Sequence, residues 1–322
     1  MLQGKQLILA TKPFAKEIRS LSWFHTLSTF FLLVLSFVAV LIFKPLILKL
    51  IFSILTGLII VRMFVIVHDY FHKTILKGSL LAEVIFTFWG LYILVPKSIW
   101  SRSHDYHHVN NSKLYTSSIG SFPIVTKEKF LKSSKTERLY YLFIRHPLTI
   151  ALGYFSAFMY GMCIQSLLTS PKKHWDSAVS LMLHFGIGFL IYYNFGWINF
   201  MFAFLLPALI SSALGAYLFY AQHNFPDATF KEKEGWTYVS AALNSSSYMK
   251  MNPIMHWFTA NIGYHHIHHL NHNIPFYRLP EVFENFPELQ NPGVTSLSIK
   301  DIIACLKLKV WDSEKQKMVG LK

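Results

Sequence analysis

Charge is scarce in this chain, and negative charge scarcer still. Only 14% of its 322 residues are Asp, Glu, Lys or Arg, and 16 acidic residues stand against 30 basic ones. Cysteine is nearly missing. Cys163 lies in an apolar run and Cys305 in the tail, and neither has disulfide or metal-ligand spacing. There is no low-complexity stretch and no internal repeat apart from clusters of histidine. These absences exclude an ordinary soluble domain of this size, a disulfide scaffold and a thiolate-held structural zinc site.

What is present is apolar. Hydrophobic residues make up 53% and aromatic ones 16%, and several runs reach the roughly 20 apolar residues that a spanning helix needs. Trp23 to Phe43 is one. Leu46 to Val67 is another, with Lys49 and Arg62 near its ends, where long side chains are expected to snorkel. The first 22 residues carry Lys5, Lys12, Lys16 and Arg19 against Glu17 alone, so the N-terminus is expected in the cytoplasm, and the apolar run after them is too long for a signal-peptide core. Lys44-Pro45 makes a tight turn and closes a first hairpin.

Leu80 to Val95 is shorter and contains Glu83, which suits a re-entrant or interfacial segment. Lys97 to Pro147 is polar and basic and is expected in the cytoplasm. Of the three later runs, Leu148 to Leu168 is expected to lie in the interface or to re-enter. Ala178 to Tyr193 and Trp197 to Ala221 form a second hairpin, joined through the uncharged Asn194-Phe195-Gly196. The predicted fold is an all-α membrane protein with about four transmembrane helices in two hairpins (about 23–67 and 178–221), interfacial helices, and a cytoplasmic helical cap (about 97–147 and 222–322). All of it forms one domain over 1–322. The net charge of +14 then faces anionic headgroups rather than nucleic acid, and the same basic face suits an acidic redox partner.

Histidine carries the chemistry. Asn261-Ile-Gly-Tyr-His-His-Ile-His-His-Leu-Asn-His272 holds five histidines in twelve residues. On a helix His265, His268 and His269 stand at i, i+3 and i+4, expected to aim at one place. His68-Asp-Tyr-Phe-His72 repeats i and i+4, and His104-Asp-Tyr-His-His108 repeats i, i+3 and i+4. These eight ligand candidates exceed the positions around one metal, so two metals are implied. His223, in Tyr220-Ala-Gln-His-Asn-Phe-Pro226, is a ninth candidate that spacing alone leaves open. Imidazole suits iron, with copper and zinc left open by ligand softness. His266 points away and His272 follows the cluster, so both are placed outside the ligand set. His25, His146, His174, His184 and His256 stand alone and read as ordinary core or surface residues. Asp69, Asp105, Asn110, Asn111, Asn224, Asp227 and Asn261 flank the clusters and are candidates to accept the outer N–H of a ligand.

This pattern resembles the integral-membrane fatty acid desaturases with three histidine boxes, of the bacterial acyl-lipid type. The first box resembles His68 to His72, the second Trp100-Ser-Arg-Ser-His-Asp-Tyr-His-His108, and the third His265 to His269. Asn261-Ile-Gly-Tyr, Pro275-Phe-Tyr-Arg-Leu-Pro280 and Lys309-Val-Trp-Asp312 are similar as well, so the likeness runs from about Val67 to Asp312. It implies a non-heme diiron centre held by His68, His72, His104, His107, His108, His265, His268 and His269. It also brings in His223, because a ninth histidine between the second and third boxes binds iron in that family. Dioxygen is implied as co-substrate, with two hydrogens removed from adjacent methylenes of a lipid-linked or carrier-linked acyl chain. Three residues between the histidines of the first box, and His265 at the start of the third, imply an acyl-lipid, methyl-end enzyme of the delta-12 or omega-6 kind. A His-Pro-Gly-Gly heme signature is absent, since His146-Pro147 lacks the glycines, so electrons are expected from a separate ferredoxin or cytochrome.

Two other classes share part of the pattern. A diiron hydroxylase or ketolase acting on carotenoids or alkanes also carries histidine boxes and would leave oxygen in its product. A membrane metal transporter or sensor would string histidines along a path inside its spanning helices, whereas here they gather at one face. The expected location is a bacterial cytoplasmic membrane with the boxes on the cytoplasmic side.

Overall fold

The computed structural model describes residues 2–116, 122–232 and 234–321. Helix α1 (Lys5–Thr11) leads into α2 (Arg19–Ile42) and α3 (Leu46–Phe71). At 1.5 Å per residue the 24 and 26 residues of α2 and α3 exceed the roughly 30 Å of a bilayer core. Pro45 caps the start of α3 with φ −62°, the value its ring imposes, and this sets the tight turn between the two.

Helices α4 (Leu80–Tyr92) and α5 (Lys97–Asn110) meet at a bend of 90°, so the two do not form one straight span. Then come α6 (Lys127–Lys132), α7 (Lys135–Ile144) and α8 (Pro147–Ala151), a π-helical stretch (Tyr154–Gln165) and α9 (Ser166–Thr169). Helices α10 (Trp175–Phe200) and α11 (Leu206–Ala221) complete the apolar layer. They run on as one 47-residue helical stretch, broken at Gly196 by φ 78° and ψ 174°. A side chain at this φ would be strained, which glycine avoids. On a straight helix residues 188 and 204 would stand about 24 Å apart. Instead a Cβ on Gly188 would lie 2.7 Å from the Phe204 ring, so the stretch folds back as a hairpin. Three helical stretches are long and apolar enough to cross a membrane. With the third folded at Gly196, four passes result in two hairpins.

The two basic residues of α3 do not snorkel. Lys49 donates to the Val40 carbonyl at 2.5 Å and to Asn199 Oδ1 at 2.6 Å, tying the turns of both hairpins together at the end away from the histidines. Arg62, 2% exposed, donates through Nε to Thr29 Oγ1 at 3.0 Å and through another nitrogen to the Trp257 carbonyl, and lies 4.2 Å over the Trp257 ring. A cation this deep is retained because polar partners from two other segments saturate it.

The cap adds α12 (Tyr238–Asn244), α13 (Pro253–Phe258), α14 (His265–Leu270), α15 (Leu279–Asn285) and α16 (Ile299–Lys307). Strands β1 (Tyr248–Lys250) and β2 (Val294–Ser296) pair in parallel, and β3 (Val310–Asp312) and β4 (Lys317–Val319) pair antiparallel. The N-terminal segment docks onto the cap, where Leu2 N–H donates to Glu288 and Asn271 donates to Thr11 Oγ1. The helical layer and the cap share one apolar core that runs from Ile59 and Met63 through Tyr220 to Ile267 and Trp311.

Candidate metal centre

Three elements and one loop carry the histidines to a single level. The end of α3 supplies His68 and His72, α5 supplies His104, His107 and His108, α14 supplies His265, His268 and His269, and His223 stands just past α11. All nine converge, in two groups: His68, His72, His104, His108 and His268 in one, and His107, His223, His265 and His269 in the other. Within each group the candidate donor atoms lie within 4.8 Å of one another. In the first, His68 and His104 bring their Nε2 atoms to 2.8 Å and His108 and His268 to 3.1 Å. In the second, His265 and His223 approach to 2.9 Å and His107 and His269 to 3.1 Å. The groups are neighbours, since the rings of His108 and His269 stack at 4.4 Å.

The expectation that each helix aims its three imidazoles at one place needs correction. On α5, His104 and His108 enter the first group and His107 the second; on α14, His265 and His269 enter the second group and His268 the first. The helical phase explains this. Residues i and i+4 differ by about 40°, whereas i+3 and i+4 differ by about 100°. The i+3 histidine therefore crosses to the other group, and each helix serves both.

Burial and the neighbouring imidazoles keep His265, His268 and His269 well below the ordinary histidine range, and burial brings His223 down to about 4. Two outer hydrogen bonds fix the tautomer. His68 donates Nδ1–H to Asp69 Oδ1 at 3.0 Å, and Asp69 Oδ2 accepts the Phe276 N–H at 2.8 Å. His223 donates Nδ1–H to the Ser245 carbonyl at 2.9 Å. In both, the Nε2 facing its group is then a lone pair. His72 Nε2 is buried with no hydrogen-bond partner among the described residues. Converging imidazole nitrogens, in an all-nitrogen donor set with no thiolate, fit divalent transition metals, iron included.

Of the seven flanking Asp and Asn candidates, only Asp69 reaches a ring of either group. Asn111 bonds Ser246 Oγ and the Ala241 carbonyl, Asn224 bonds Arg145 and the Cys305 carbonyl, Asn261 bonds the Phe276 carbonyl, and Asn110 bonds its own helix. Asp105 is exposed. Sequence reasoning missed the Ser245 carbonyl and Tyr238, whose hydroxyl donates to the His269 carbonyl at 2.6 Å; a main-chain acceptor leaves no side-chain signal.

The histidines set apart are apart. His272 stands 5.0 Å from the His72 ring and belongs to neither group. His184 is a hydrogen-bonded core residue between Tyr154 and the Tyr92 carbonyl. His266 is buried, turned outward, and donates to the Leu289 carbonyl at 3.0 Å. His266→Ala is expected to leave metal content unchanged while destabilising the fold by about 1–3 kcal/mol through the orphaned carbonyl. Thermal melting beside metal analysis checks this.

Next to the two groups an apolar cavity of about 50 Å³ is lined by His68, His104, His107 and His265 and by Phe64 and Phe158. The arrangement is a water-poor, hydrocarbon-walled space with nitrogen donors at one end.

Comparison with known proteins agrees with this geometry. A family model described as fatty acid desaturase matches residues 45–296. A fatty acid desaturase of Bacillus subtilis (strain 168) is 29% identical over 262 residues, 81% of this chain and 74% of its own length. An sn-1 acyl-lipid omega-3 desaturase (ferredoxin) of Nostoc sp. (strain 36) is 27% identical over 73% of this chain and 66% of its own. A chloroplastic omega-6 fatty acid desaturase of Arabidopsis thaliana is 25% identical over 72% of this chain and 52% of its own, so the matched part spans about half of the plant protein.

Proposed function

The chain belongs to the fatty acid desaturase family, and on that premise we propose that it is an O2-dependent diiron desaturase that places a cis double bond in a lipid-linked acyl chain. The observation that carries this reading is the pair of histidine groups opening on an apolar cavity. His68, His72, His104, His108 and His268 would hold one iron, and His107, His223, His265 and His269 the other. Iron bound there would supply the activation of O2 needed to take two hydrogens from adjacent methylenes, with two electrons and two protons completing the reduction of O2 to two waters. The chain's own residues do the rest. Asp69 and the Ser245 carbonyl hold the outer protons of His68 and His223. Phe64, Phe158 and their apolar neighbours exclude water and orient a hydrocarbon against the nitrogens.

The names of the relatives favour methyl-end insertion of the omega-6 or delta-12 kind, and the ferredoxin in two of those names supports a separate ferredoxin as electron donor. The basic N-terminal segment supports a cytoplasmic histidine face. The docking of Leu2 and Thr11 onto the cap supports one domain over 1–322. The test is gas chromatography with mass spectrometry of lipids, with double-bond derivatisation, from cells expressing the chain. New cis-unsaturated acyl chains support the proposal and give their position. Oxygenated lipids or carotenoids would replace it with the hydroxylase or ketolase reading.

A further inference from the structure

A second, larger cavity lies beside the one that meets the histidines. It measures about 490 Å³ and sits between α7, α8 and the π-helical stretch, with Phe143, Leu152, Phe155, Gly161 and Ala216 in its walls. The π-helical stretch and α11 lie between the two and line both. Ala157 and Ala216 face the outer cavity, while their neighbours Phe158 and Gly215 face the inner one. Phe158 fills the partition: a Cβ on Gly215 would stand 3.4 Å from its Cζ. The inner cavity's roughly 50 Å³ has room for a few waters and not for an acyl chain, so its lining must move before substrate enters. Phe158 rides on a π-helix of 12 residues, a rare geometry that gathers at functional sites.

The outer cavity adjoins a face made for lipid. Leu139, Tyr140 and Phe143 on α7 are 59%, 63% and 62% exposed, and Leu148, Phe155 and Tyr160 continue the apolar surface. Left in water, each such side chain forgoes about 1.5–3 kcal/mol of burial. The exposed face of α7 is thus hydrocarbon-seeking, which within the expected cytoplasmic cap suits a helix lying at the membrane interface. Lys135 and Arg138 share this helix, and Glu137 is engaged in a capping box with Ser134, which leaves a basic rim suited to a phosphate headgroup.

We propose that the outer cavity is a lateral vestibule for an acyl chain of a bilayer phospholipid, and that Phe158 gates its passage to the metal-facing cavity. The headgroup stays at the Lys135 and Arg138 rim while the chain slides sideways from the membrane. This rests on the desaturase reading above. The test places the iron-loaded protein in nanodiscs containing phosphatidylglycerol with a photoactivatable diazirine on one acyl chain. Crosslinks are mapped by mass spectrometry in the wild type and in Gly161→Trp. A Cβ at Gly161 would meet only the Ser156 carbonyl, at 3.4 Å, and Gly161 lines the vestibule, so the substitution directs bulk at that space. Crosslinks on α7 and the π-helical stretch, falling at least tenfold in Gly161→Trp together with phospholipid desaturation and at unchanged iron content, support the proposal. Crosslinks mapping elsewhere, or full desaturation by Gly161→Trp, overturn it. Should Gly161→Trp lose its iron, Ala157→Leu repeats the comparison with a smaller filling. A wild type that desaturates no lipid sinks the proposed function instead, and the crosslink map, which needs no turnover, still decides the vestibule.

Discussion

His269→Ala is expected to abolish new double bonds in membrane lipids while the protein remains in the membrane at wild-type abundance. His269 Nε2 stands 3.1 Å from both His107 and His265, and its ring stacks on His108 of the other group at 4.4 Å. Its loss removes one of four nitrogens from the second group and the packing surface of a member of the first. Residues that merely support a metal ligand change metal affinity or activity by about 10–100-fold, so removing a donor itself is expected to exceed that range. Product analysis and iron content, measured together, check it. Turnover within a few-fold of wild type would remove His269 from the ligand set.

The second large effect is expected from a residue that touches no metal. Asp69 takes the Nδ1–H of His68 on one carboxylate oxygen and the Phe276 N–H on the other, so it orients a ring of the first box and ties α3 to the segment that follows the third. Asp69→Asn keeps the shape but turns an NH2 toward one of two donors. Whichever contact fails, either the His68 tautomer is released or the Pro275-Phe276 segment loses its anchor. The expected cost is about 10–100-fold in turnover and iron affinity. Iron retained at full affinity with unchanged turnover would show that the tautomer is fixed by other means.

Much of this site is legible in the sequence because metal ligation demands residue type and spacing together. Two histidine clusters at i, i+3 and i+4 and one at i and i+4 mark the elements that must meet. The hairpin at Gly196 is legible for a similar local reason, since a short uncharged loop between two apolar runs has few alternatives. The sequence does not disclose how the nine imidazoles divide, because the assignment depends on how α5 and α14 are rotated about their axes. Nor does it disclose that Lys49 and Arg62 turn inward, a choice made by partners 150 and 195 residues away. Helix α7 carries Lys and Arg beside an exposed apolar face of Leu139, Tyr140 and Phe143, a pairing that the composition of 97–147 as a whole does not disclose.

The central claim is that the nine histidines form one dimetal iron centre, and the most direct measurement is iron stoichiometry with X-ray absorption at the iron edge on protein reconstituted anaerobically with Fe(II). The account predicts two irons per chain in a nitrogen-rich shell free of sulfur, falling to one or fewer in His269→Ala. A single iron per chain in the wild type, or zinc retained in preference to iron, would contradict it.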